Sequence, residues 1–66
     1  MRQNLIAARN DKGYSVDKMA DECGISVDEY LCVEAGANLT LIVAARIAKV
    51  LDRRDILDLF ECSTIE

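Results

Sequence analysis

Three glycines and no proline punctuate this chain of 66 residues. Gly13, Gly24 and Gly36 lie eleven and twelve residues apart. Glycine takes the left-handed backbone that closes a helix without steric cost, so each is read as a helix stop. A hydroxyl side chain follows each stop within four residues, at Ser15, Ser26 and Thr40. Such an oxygen accepts a hydrogen bond from the unpaired amides that open the next helix. The intervals are of helical length, and neither a strand pattern nor an internal repeat interrupts them.

Apolar spacing fills in the segments. Over residues 2–11, Leu5 and Ala8, followed by Arg9 and Lys12, recur at the three-four spacing of one helix face, and Lys12-Gly13 closes that helix. Ser15 caps a second helix, Val16–Cys23, with Asp17 at its positive end and Met19, Ala20 and Cys23 as its buried stripe. Ile25 follows Gly24 as an apolar plug. Ser26 then caps a third helix, Val27–Ala35, with Asp28 and Glu29 in its first turn. A fourth helix runs from a Thr40 cap to Leu51, its core face made of Leu41, Ala44, Ala45, Ala48 and Leu51, with Ile42, Val43 and Val50 turned elsewhere. A short fifth helix over residues 56–61, capped by Asp55, brings Ile56, Leu59 and Phe60 onto the core. The expectation is an all-α, compact five-helix bundle: one domain over residues 1–61, then a short C-terminal tail, 62–66.

Composition narrows the function. The length leaves room for one small domain, and Met1 leads us to expect a whole chain. With 52% apolar residues the chain is no disordered segment, and a core this small leaves apolar surface over for a partner. The longest apolar run, residues 41–45, is far short of the roughly 20 residues that cross a bilayer, so a soluble, cytoplasmic protein is expected. Cys23, Cys32 and Cys62 are odd in number, lack a C-x-x-C spacing and have no His beside them, which argues for reduced thiols rather than disulfides or zinc. Without His, a paired-carboxylate pocket or a phosphate-cradling glycine loop, enzyme activity is not expected, and no cofactor or metal is called for.

Residues 15–36, a short helix, a glycine turn and a second helix, resemble the helix-turn-helix of the Cro and phage-repressor type, the XRE family. Arg9, Gly13 and Ser15 look like the family's R-x-x-x-G-x-S/T opening, and Ala48 to Leu51 with Leu59 and Phe60 look like its closing helices. Ala20, Gly24, Ile25, Ser26, Val33, Glu34 and Gly36 fall at the family's offsets, and the likeness spans residues 4–60. It implies a lambda-repressor-like DNA-binding domain, commonly a dimer, whose second motif helix enters the major groove. Carried over by position, Val27, Asp28 and Cys32 face the bases, with Ser26, Glu29 and Leu31 nearby. Ser15, Val16, Ser26 and the loop Ala37, Asn38 and Leu39 face phosphates. Lys18 is the one cation within the motif, and Arg2, Lys12, Arg53 and Arg54 flank it.

This motif departs from the family in charge. A Gln is usual where Val16 stands, and Lys or Arg is common in the loop occupied by Ala37 to Leu39. Residues 1–14 net about +2, whereas residues 15–36 carry six carboxylates against one Lys, about −5. Phosphate affinity comes from Lys and Arg, so carboxylates here oppose it. They still read bases, accepting from cytosine N4, while Val27 suits a thymine methyl. A minimal regulator binding DNA as a dimer is therefore the first reading. The alternative is the same fold turned to protein recognition through an acidic, partly apolar third helix.

Several residues carry two readings. Arg9 shares a face with Leu5 and Ala8, and Glu34 shares one with Tyr30 and Val33, which makes a partly buried ion pair the natural expectation, matching one seen across the family. Asp28 and Glu29 serve either the helix dipole or recognition. Leu31 and Cys32 fall opposite Tyr30 and Val33, as isolated exposed side chains or as an interface. Ile42, Val43 and Val50, interrupted by Arg46 and Lys49, are either core or the rim of a homodimer seam.

Overall fold

The computed structural model describes residues 1–61, and it is all-helical. Five helices follow in order: α1 (Gln3–Lys12), α2 (Val16–Cys23), α3 (Val27–Ala35), α4 (Leu41–Val50) and α5 (Ile56–Leu59). The expected tail, 62–66, with Cys62, lies outside the described residues. The molecule measures 27 × 21 × 19 Å.

Local chemistry sets the ends of the middle helices. Ser15 Oγ accepts from the Lys18 amide at 3.1 Å, Ser26 Oγ from the Glu29 amide at 3.1 Å, and Thr40 Oγ1 from the Val43 amide at 3.3 Å. Gly24 turns left-handed, at φ +72°, and its amide returns to α2 while Ile25 N–H bonds Ala20 O at 3.0 Å. That closure needs a residue without a side-chain penalty at positive φ.

The core is one cluster. Leu5 and Ala8 of α1, Met19, Ala20 and Cys23 of α2, and Tyr30 and Val33 of α3 meet the inner face of α4. Leu59 and Phe60 join the cluster where α5 packs on α1 and α4. α2 packs on both α3 and α4, so the pair α2 and α3 is held as a unit against the rest.

Three expectations need correction. On α4 the buried stripe is Ala44, Ile47, Ala48 and Leu51, whereas Leu41 is 57% exposed and Ala45 is also exposed. Ala45 lies about 100° around the helix from Ala44, and Leu39, just before the cap, fills the core at the end where Leu41 was expected. Asp55 does not cap α5; its carboxylate instead accepts from the Arg53 guanidinium at 3.3 Å. α5 is also shorter than expected, because Glu61 takes a positive φ of 52° and its side chain accepts from the Asn4 amide at 2.9 Å.

Candidate functional site

α3 has one anchored side and one free side. Tyr30, Val33 and Glu34 are buried, at 0%, 7% and 4% exposure, and point inward. Val27, Asp28, Glu29, Leu31 and Cys32 all lie exposed around the rest of the helix. The three-four spacing of the buried set leaves the first turn and the outer face open to solvent.

The anchoring is polar as well as apolar. Arg9 Nε donates to Glu34 Oε2 at 2.7 Å, with both side chains largely buried, and Arg9 Nη1 donates to Tyr14 O at 2.9 Å. Tyr30 Oη is buried with no hydrogen-bond partner among the described residues. Burial pushes the Tyr30 phenol well above its ordinary value, and the neighbouring Glu34 carboxylate adds to the effect.

The flanking cations are distributed unequally. Lys18 is exposed, 3.6 Å from Glu22 one turn along α2 and 5.7 Å from the Tyr14 ring centroid. Arg2, expected as a free flanking cation, is instead 8% exposed, so it is not available to a phosphate. Its guanidinium donates to the Val33, Ala37 and Phe60 carbonyls, the last two at 2.8 and 2.9 Å. The last carbonyls of a helix carry partial negative charge, and a guanidinium's fork of donors suits them. Nothing near Arg2 in sequence signals this, since its partners lie 31 to 58 residues away.

In the loop after α3, Ala37 and Asn38 are exposed, but Leu39 is buried in the core and cannot face a phosphate as expected. Ser15 and Ser26 stand exposed at the helix starts, their oxygens engaged as caps, while Val16 is half-buried. On α4, Ile42 is 66% exposed and Arg46 is exposed, whereas Val43 and Val50 are half-buried against the core edge. The exposed apolar surface of α4 is therefore Leu41 and Ile42, and Leu41 was not among the surface residues read from the sequence.

Between α3 and the start of α4 lies an open cleft of about 390 Å³. It is lined by the buried or half-buried Ile25, Val33, Leu39 and Val43 and by the exposed Asp28 and Glu29. These residues come from a turn, a helix, a loop and a second helix, so no local pattern announces the cleft. No group of His, Cys, Asp or Glu able to hold a metal ion occurs among the described residues. Nor, among them, is any helix long and apolar enough to cross a membrane.

The chain matches no protein-family model, no curated protein and no solved structure.

Proposed function

We propose that this chain is a DNA-binding transcriptional regulator of the minimal Cro-like type, a non-enzymatic binding module that places α3 in the major groove. The observation that carries this reading is the two-sidedness of α3: a polar and apolar anchor at Tyr30, Val33 and Glu34, and an unobstructed first turn and outer face from Val27 to Cys32. A recognition helix must have that form, because its first turn contacts base edges while its back is held rigidly.

Each exposed residue then has a chemical role. Asp28 and Glu29 accept from cytosine N4, and Val27 contacts a thymine methyl. Lys18, Ser15 and Asn38 lie where the phosphate backbone passes, with Lys18 the principal counter-charge. Binding of this kind draws more on base contacts than on charge, so non-specific affinity is low. The chain acts in the cytoplasm as a homodimer through the α4 side bearing Ile42 and Arg46, on half-sites one helical turn, about 34 Å, apart.

Selection of bound sequences from random duplexes tests this. Asp28→Ala or Glu29→Ala should change which bases are enriched, whereas Lys18→Ala should weaken all duplexes alike. A second reading, α3 as a protein-docking helix, is favoured by one feature: Asp28 and Glu29 form no ion pair among the described residues.

A further inference from the structure

We infer that the cleft between α3 and α4 receives an apolar side chain carried on a basic segment of another protein. The inference stands on the cleft itself and does not rest on the DNA reading, with which it competes for Asp28 and Glu29. At about 390 Å³ the cleft is near the lower end of what ligand sites occupy, suited to one or two side chains rather than to a large cofactor. Ile25, Val33, Leu39 and Val43 offer it an apolar lining.

The rim decides the occupant. No Lys or Arg lines the cleft, while Asp28 and Glu29 do. The Ser26 hydroxyl already serves the Glu29 amide, and the ion pairs of the described residues lie elsewhere, at Arg9 with Glu34, Lys18 with Glu22 and Arg53 with Asp55. Two carboxylates with no ion-pair partner among the described residues, beside an apolar lining, are complemented by a Leu, Ile, Met or Phe flanked by Lys or Arg. A purely apolar small molecule leaves both charges unused. A second copy meeting this cleft with its own α3 brings further carboxylates to it.

The test is selection of random 12-residue peptides displayed on phage against the full chain, followed by titration of the best synthetic peptide into isotopically labelled protein. Enriched peptides should place two or more Lys or Arg within four residues of a large apolar residue. Amide shifts should cluster at Ile25, Val33, Ala37 and Val43. The exposed double variant Asp28→Lys with Glu29→Lys should bind the peptide at least tenfold more weakly, while a cooperative thermal transition, at a midpoint lowered by the loss of two first-turn carboxylates, shows that it folds. Neutral or acidic enriched peptides, no enrichment, shifts elsewhere, or equal binding to the charge-reversed variant would each overturn the inference. So would self-association that blocks the peptide, since the occupant would then be a second copy. No DNA is present in this experiment, so failure of the DNA reading leaves its outcome unaffected.

Discussion

Arg2 and Phe60, 58 residues apart, meet twice: Arg2 Nε donates to the Phe60 carbonyl at 2.9 Å, and the guanidinium carbon lies 6.0 Å from the Phe60 ring centroid. The same guanidinium reaches the Val33 and Ala37 carbonyls, and the Arg2 amide donates to Glu34 O at 2.8 Å. One side chain thus ties the start of the chain, the end of α3 and the end of α5. Hydrogen bonds to charged groups contribute about 1.5 to 3 kcal/mol, and Arg2→Met removes the guanidinium from three carbonyls, of which Val33 O keeps the Gly36 amide at 3.2 Å. We expect Arg2→Met to lose about 3 kcal/mol in urea unfolding, and Arg2→Lys, which lacks the fork, to recover only part of it. Unchanged stability in Arg2→Met would show that the carbonyls are satisfied by water instead.

The Arg9 to Glu34 pair makes a second, separable prediction. Both side chains are largely removed from water, so removing one partner strands the other charge. Glu34→Ala should cost about 3 kcal/mol. The double substitution Arg9→Met with Glu34→Leu should restore most of that loss, because neither charge remains to be desolvated. A double-mutant cycle by urea unfolding reads the coupling, and a thermal midpoint unmoved by Glu34→Ala would refute it.

Tyr30 and Cys23 predict how stability changes in alkali. Burial is the first cause of the raised value in each: Glu34 adds to it at Tyr30, while at Cys23 Glu22 adds and Arg46 partly opposes. A raised folded-state value means that the folded chain keeps a proton that the unfolded chain releases. Stability is therefore full below the ordinary values of 9.0 and 10.0 and falls as pH rises above them. The urea midpoint should drop between about pH 9 and 11, and Tyr30→Phe with Cys23→Ala should flatten that drop. At neutral pH, Tyr30→Phe should change stability by less than about 1 kcal/mol, since the buried hydroxyl makes no well-formed hydrogen bond and the neighbouring Glu34 carboxylate is already held by Arg9. An equally steep alkaline drop in the double variant would assign the effect to other groups.

The parts of this fold that were legible in the sequence are those fixed by local chemistry. Ser15, Ser26 and Thr40 cap, and Gly24 turns, because the groups they satisfy are within four residues. The stripe Met19, Ala20 and Cys23 followed from spacing alone. Arg2 was misread, because a guanidinium is free or buried according to carbonyls more than thirty residues away. Leu41 was read onto the core face of α4, and Ile47 was not read at all, for a similar reason: which apolar row of α4 faces inward depends on its packing against α2 and on the buried Leu39. The exposed set on α3 was legible from its helical spacing, whereas the cleft beside it is assembled from four separate segments.

Gly24 isolates the backbone contribution to the turn before α3. A Cβ at this position meets only Arg46 Nη1, at 3.9 Å, an ordinary contact. Any cost of Gly24→Ala is therefore the cost of the left-handed backbone, about 1 to 2 kcal/mol, and Gly24→Asn should cost less. Equal losses for Ala and Asn would point to a packing effect instead.

DNA binding by α3 is the central claim, and its most direct measurement is fluorescence anisotropy of a labelled mixed-sequence duplex titrated with the protein across a salt series. The proposed function predicts binding at low salt whose logarithm falls linearly with log salt, with a shallow slope because Lys18 is the only cation of the motif. Lys18→Ala should reduce that slope by about 1. A folded protein that enriches no sequence from the random duplexes and gives no anisotropy change even at low salt and high protein concentration would contradict the claim and leave α3 to a protein partner.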